Sequence, residues 1–216
     1  MTSRTSLVLF LGLSAASPLA AQRAWTAELF GGSSWSAHTP LTIEQAGQPD
    51  IRFSAHYDTR PFYGAKYYAF RVARWHGDRA WAIDFTHHKL YLTNNPPEVQ
   101  HFEVSHGYNL LHLSRIWRRH GWLLSGGGGV VFTHPENTVR GKKLYPESGG
   151  TLGGGYYLDG VSVMGAAGRQ VRLSDHLFLS GLAKVTLSNV TTRVMDGEAE
   201  VPNVAAHLNF GLGARF

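Results

Sequence analysis

Two stretches hold most of the residues able to do chemistry, 81–92 (WAIDFTHHKLYL) and 99–111 (VQHFEVSHGYNLL). Between them they carry Asp84, Thr86, His87, His88, Lys89, His101, Glu103, Ser105, His106 and Asn109. Imidazole beside carboxylate offers acid and base catalysis, or a divalent-metal site built from histidines and a carboxylate. With 92–99 as a hairpin loop, antiparallel pairing sets His88 near Glu103, Thr86 near Ser105 and Asp84 near Gly107. On that register His88 and Glu103 form the best inward pair and the expected metal ligands. The plainer reading is an interior hydrogen bond. A serine nucleophile is the next option, but neighbours in a strand point to opposite faces, so Ser105 and His106 are not expected to be partners. His88 from the facing strand, or Glu103, would have to serve.

These stretches need strands to position them. From Trp25 onward the apolar residues recur at period two, between clusters of Gly, Pro, Asn and Asp, and that pattern predicts strands. Eight are expected, at 25–35, 64–75, 79–91, 100–117, 122–133, 153–170, 177–190 and 202–216. Their connections alternate: 36–63 is long, 76–78 short, 92–99 medium, 118–121 short, 134–152 long, 171–176 short and 191–201 medium. Within the first long connection 41–45 and 51–56 look extended, which predicts a partly ordered cap. Short turns on one side and long loops on the other mark outer-membrane barrels, whose tight turns face the periplasm. The expected fold is therefore all-β: an eight-stranded antiparallel transmembrane β-barrel with short periplasmic turns and longer extracellular loops.

The chain ends support this reading. Residues 1–21 carry one charge, Arg4, then an apolar centre from Leu7 to Leu13 and small residues at Ala20 and Ala21. That layout predicts a cleaved secretory signal, leaving 22–216 as the barrel, rather than an anchor helix. Cleavage would leave 195 of the 216 residues and lower the net charge from +5 to +4, because Arg4 is lost. There are no cysteines, so pairing and packing alone must hold the fold. The mature part has no apolar run of about 18 residues, so it offers no transmembrane helix. In the last strand Val204, Ala206, Leu208, Phe210, Leu212, Ala214 and Phe216 alternate with Asn203, His207, Asn209 and Arg215. The terminal Phe216 resembles the signal by which bacterial outer-membrane proteins meet the barrel assembly machinery.

A lipocalin-like barrel or a secreted sandwich would show the same alternation with its apolar face inward. The loop asymmetry, Phe216 and aromatics near the strand ends (Trp35, Tyr67, Tyr68, Trp75, Tyr91, Trp117, Trp122) favour the outer membrane of a Gram-negative bacterium. Eight strands enclose room for side chains only, so a packed polar lumen and no transport pathway are expected. Parity turns Glu28, Arg71, Asp84 and Lys184 inward, where they must pair. Gly31, Gly32 and Gly126 to Gly129 are expected to allow close strand approach. The excess basic charge suits phosphates, and export points to lipid and not to nucleic acid. Lys89, Arg140, Lys142 and Lys143 are placed to meet lipopolysaccharide phosphates, or to act simply as solvated loop residues. A monomer in the bilayer is expected.

The motifs DFTHHK and FEVSHGYN, with a glycine-rich strand and the ending LNFGLGARF, resemble the lipid A oxidase-like outer-membrane proteins. The resemblance falls on Asp84, Thr86, His87, Lys89, Glu103, His106, Gly107 and Asn109, and more weakly on Lys184. Leu182, His88 and Tyr108 depart from the family pattern. What the resemblance implies is a lipid A-modifying enzyme that uses molecular oxygen to convert the proximal glucosamine to an aminogluconate. A deacylase and a non-enzymatic lipopolysaccharide-binding or partner-binding barrel stand as alternatives. Catalytic residues are expected among Asp84, His87, His88, Glu103, His106 and Asn109. Strict alternation points His87, Lys89 and His106 toward lipid, so either a bulge near 107–110 re-aims them or they touch lipid A held against the wall.

Overall fold

In the computed structural model residues 24–144 and 150–216 are described, and the expected signal at 1–21 lies outside them. Eight long strands form the framework: β1 (Ala24–Ser36), β2 (Tyr68–His76), β3 (Arg79–Leu92), β4 (Val99–Arg119), β5 (Trp122–Thr133), β6 (Tyr157–Arg172), β7 (Leu177–Val194) and β8 (Asn203–Arg215). Each pairs antiparallel with its sequence neighbours, and β1 pairs with β8 to close the ring. Closure leaves the barrel itself without an edge, so every wall amide finds a partner without water.

The stagger of the ring follows from its register. Glu28 faces Arg71, Arg71 faces Asp84, Asp84 faces His112, His112 faces Gly129, Gly129 faces Ser162, Ser162 faces Ser188, and Ser188 faces Asn203. Glu28's own partner in β8 is Gly213, ten residues from Asn203. A stagger of ten residues over eight strands tilts them by roughly 40° from the barrel axis. Every residue on that winding row is polar or glycine, so one helical turn of the inner wall is built for hydrogen bonding.

Along the inner wall the charges sit where parity puts them. Arg71 Nε donates to Asp84 Oδ1 at 2.6 Å, Ser114 donates to the other Asp84 oxygen, and Lys184 Nζ donates to Thr86 Oγ1. Glu28 accepts from Ser180 at 2.8 Å and Gln170 at 3.2 Å. Gly127 and Gly129 face inward where a Cβ would collide with the Leu113 to Ser114 and Leu111 to His112 backbone, and Gly32 meets Leu208 and Asn209 in the same way. Gly31, Gly126 and Gly128 are not constrained so, because their Cβ positions point outward.

The outer face is apolar: Leu29, Phe70, Ile83, Leu113, Val161, Val163, Leu179, Val185, Leu208, Phe210 and Leu212 are all exposed. Trp25, Trp81, Trp117 and Trp122 are exposed near the short-turn end, and Trp35 and Tyr68 toward the other. Tyr67, Trp75 and Tyr91 are buried. Trp75 lies inside, where its indole N–H reaches Thr26 Oγ1 at 3.0 Å, and Tyr67 donates to Asn209 Oδ1 at 2.9 Å across the lumen. These three are therefore not part of an aromatic girdle.

The long-loop end departs most from the expected outline. Six short strands stand there, Thr39–Gln45, Ile51–Ala55, Tyr57–Asp58, Glu136–Val139, Lys142–Lys143 and Gly197–Glu200. The expected loop at 191–201 is a hairpin extension, with Thr191–Val194 pairing onto Gly197–Glu200, which in turn pairs with Thr39–Gln45. The expected extended segments at 41–45 and 51–56 are a real hairpin. β2 begins at Tyr68 and not at residue 64, because 61–65 turn instead over β3. The cap encloses an apolar core of Leu41, Ile43, Leu90, Phe102, Leu110, Val131 and Val190, among others. This apolar plug stands above the polar, hydrogen-bonded lumen.

Candidate functional site

The expected pairing of β3 with β4 does not hold. His88 faces Tyr108, Thr86 faces Leu110 and Asp84 faces His112, while Tyr91 faces Glu103. Between the pairs His88/Tyr108 and Leu90/Val104 the register shifts, so β4 carries Ser105, His106 and Gly107 opposite the single residue Lys89. This two-residue bulge ends on Gly107 at φ +146°. That conformation is one L side chains rarely adopt, which is why glycine is required, and a Cβ there would also push aside the Asn109 amide. Glu103 is thus three residues along from His88's level, roughly 10 Å, and the two do not form a metal pair.

His88 lies inside the barrel, as expected, but with other partners. Its Nδ1 lies 3.0 Å from Ser34 Oγ, and its Nε2 lies 3.3 Å from Asn203 Oδ1. Asp84 belongs to the lumenal ion network. The outer wall keeps His87, Lys89, Glu103, His106 and Asn109, and the bulge draws them together just above the apolar belt, whose last members on these strands are Phe85 and Leu111.

His87 packs under the Tyr68 ring at 5.2 Å between centroids. Its Nδ1 lies 2.8 Å from Asn109 Oδ1, so Nδ1 carries the proton and Nε2, which has no partner, is the basic nitrogen. Lys89 is fully buried, and its ammonium donates to the carbonyls of Arg60, Tyr63 and Ala65 at 2.8, 2.5 and 2.7 Å. All three donors are used, so Lys89 anchors the 60–65 turn and has none left for a phosphate. Arg140 is tied to Gln45 and Pro49, and Lys142 to Asp196, which makes these two bases stitches between cap segments. Lys143 is exposed beside Lys142.

Around the bulge, Ser105 Oγ donates to Glu103 Oε1 at 2.7 Å and lies 3.4 Å from His106 Nδ1. The bulge has broken strict alternation, so the two neighbours do meet. Their geometry is still not that of an activated serine. The Ser105 proton goes to Glu103, and His106 Nδ1 also carries the ion pair with Glu136, whereas a relay needs serine and acid on different ring nitrogens.

His134 and Glu136, which the sequence reading left in a loop, complete the group. His134 N–H donates to Gly107 O at 3.0 Å and its ring lies 5.5 Å from that of His106. Burial holds the His134 imidazole below its ordinary pKa, while Glu136 pulls the other way. Ligand atoms of His106, His134 and Glu136 lie within 4.8 Å of one another, the one such metal-capable group among the described residues. The signal that would have found it is His134-Pro135-Glu136 directly after a strand, facing a glycine bulge on the strand before it.

No protein-family model matches the chain, and no curated protein does. Among solved structures, outer membrane protein AlkL, determined by solid-state NMR in DMPC bilayers, matches with a TM-score of 0.50 at 12% identity, over 96% of this chain and 97% of that one. OprG of Pseudomonas aeruginosa matches at 0.47 and 8% identity, over 91% and 97%. The attachment invasion locus protein Ail of Yersinia pestis matches at 0.42 and 10%, over 90% and 99%. At such identities the likeness is one of fold. With the closed ring, the exposed apolar belt and the polar lumen, it defines the class: this chain is an eight-stranded β-barrel of the outer membrane.

Proposed function

We propose that the barrel holds lipid A against its outer wall at the His87/His106 patch and modifies it there. The observation that carries this reading is the position of exposed His106, with Glu103 and Glu136 partly exposed beside it, gathered by a bulge on the outer wall immediately above the apolar belt. Hydrocarbon does not tolerate such groups, and a structural role alone would place them in the lumen or cap. The sugar and phosphate layer of the outer leaflet is what lies beside them. Oxidation of the proximal glucosamine is the preferred reaction, carried by the resemblance of DFTHHK and FEVSHGYN to lipid A oxidase-like proteins. Removing the C1 hydrogen and the proton of a free C1 hydroxyl, with molecular oxygen taking up both and leaving as hydrogen peroxide, gives a lactone that water opens to the aminogluconate, a net gain of one oxygen. In this reading His106, the exposed imidazole of the group, meets the sugar and accepts the proton, with Glu103 completing the polar face and His87, buried and tied to Asn109, packed behind them.

The test is the mass of lipid A from cells with and without the gene. One added oxygen, lost in His106→Ala by more than about tenfold, supports oxidation. A missing acyl chain supports deacylation in its place. Unchanged lipid A, with the barrel folded and present, overturns the enzymatic reading and leaves a non-enzymatic lipopolysaccharide-binding barrel.

A further inference from the structure

The outer-wall group has a second property that proton transfer does not use. Glu103 faces Glu136 directly across the pairing of β4 with Glu136–Val139. Like charges directly opposite one another destabilise a strand pair. The partners present only partly answer this, since Glu103 shares its oxygens with Ser105 Oγ at 2.7 Å and His101 Nε2 at 3.5 Å. Glu136 reaches His106 Nδ1, and His134 stands beside them both.

We propose that His106, His134 and Glu136 are the ligands of a divalent transition-metal ion at the extracellular rim. Two imidazoles and one carboxylate are the donor set that borderline metals such as Zn2+, Co2+, Cu2+ and Fe2+ prefer over the all-oxygen shells of Mg2+ and Ca2+. Their ligand atoms lie within 4.8 Å of one another, and ligands at about 2.1 Å from one ion stand roughly 3.4 Å apart, so the widest gap closes by no more than about 1.4 Å while the His106 Nδ1 to Glu136 contact opens to admit the ion. The backbone is already set for this. His106 is turned outward by the bulge that ends on Gly107, His134 N–H is bonded to Gly107 O, and Tyr156 Oη donates to His106 O, both at 3.0 Å. His134 and Glu136, two apart in extended chain, share one side. A cation there would also neutralise the facing carboxylates, with Glu103 outside the ligand shell orienting the site through Ser105 and His101.

Three protein ligands leave positions open for water or for an oxygen of the sugar. The open side is the solvent and headgroup side, because His106 is exposed on that face. The site thus deepens the lipid A reading by supplying the wall with a Lewis acid, but binding of the ion is a separate claim and is measured without lipid.

The experiment uses the untagged barrel, folded in detergent and stripped of metal, with Co2+ and Cu2+ as probes. One equivalent of Co2+ should produce visible d–d absorption, and bound Cu2+ should show electron-paramagnetic hyperfine coupling to two imidazole nitrogens. His106→Asn, His134→Asn and Glu136→Gln should each weaken binding by at least about 100-fold. His120→Asn, in the opposite turn, should leave it unchanged. Heat-modifiable mobility on gels shows that each variant is folded. Weaker than millimolar binding to the native barrel, or equal binding by all four variants, overturns the assignment. Unchanged lipid A with intact metal binding sinks the enzymatic reading alone, and modified lipid A without metal binding sinks the metal site alone.

Discussion

Replacing Asp84 by Asn removes one charge from the centre of the lumen and almost no volume. Asp84 is 4% exposed and lies against Arg71, which is 1% exposed, with Lys184 at 3% also inside. The wild-type lumen balances Glu28 and Asp84 against Arg71 and Lys184. The variant keeps a neutral partner for Ser114 but leaves two buried cations facing one carboxylate. Breaking a buried pair by removing one partner costs about 3–5 kcal/mol, between two and four powers of ten in the folding equilibrium. With a denaturant slope of about 2 kcal/mol per molar, the urea midpoint in detergent should fall by roughly 2 M. Tryptophan fluorescence and gel mobility both report it. The double variant Arg71→Met/Asp84→Leu removes both charges and should recover more than half of that loss, since an apolar replacement of a buried pair is near neutral. A midpoint shift below about 0.5 M for Asp84→Asn would mean that water reaches the pair, and the argument for a dry lumen would be refuted.

Two further perturbations test other parts of the wall and cap. Gly129→Val puts a Cβ into the Leu111 to His112 backbone, whereas at Gly128 the nearest atom is Ser162 O at an ordinary 3.6 Å; the first should cost about 1–3 kcal/mol and the second should be near neutral in the same unfolding assay. Tyr57, in the cap, has a buried hydroxyl without a partner, and burial raises its pKa above the ordinary value. A raised tyrosine pKa means stability that is complete below about pH 10 and lost as pH rises toward the raised value. Protease sensitivity of the cap should therefore increase above pH 10 in the native protein, and Tyr57→Phe should lessen that dependence without loss at neutral pH.

Alternation is a geometric property of a strand, so it was legible wherever a strand ran unbroken. Glu28, Arg71, Asp84 and Lys184 lie inside and the apolar residues of β8 lie outside because period two alone decides it. What could not be read was relative sliding. The hairpin of β3 and β4 has unequal arms: β4 starts four residues before it meets β3, pairing there with Glu136–Val139. The bulge at Ser105–Gly107 then adds two more residues to one side. Each departure shifts who faces whom, so His88 lost Glu103 and gained Tyr108. His134 and Glu136 stayed hidden for a related reason, since segments of three or four residues in a cap carry too little periodicity to declare themselves.

The Arg71 to Asp84 pair has a consequence for how the barrel enters its membrane. Both residues belong to one hairpin, β2 and β3, joined by the turn at Gly77, and they face each other in register. Two opposite charges that meet within a local hairpin can be presented to hydrocarbon as a neutral dipole, whereas a lone cation facing lipid in a barrel strand costs about 2–4 kcal/mol at the midplane. Lys184 has no such companion in its own hairpin. Its hydrogen-bond acceptor is Thr86, 98 residues away across the lumen, and it arrives only when the ring shuts. Arg71 and Asp84 can thus pair within the β2–β3 hairpin alone, whereas Lys184 has its acceptor only in the closed ring.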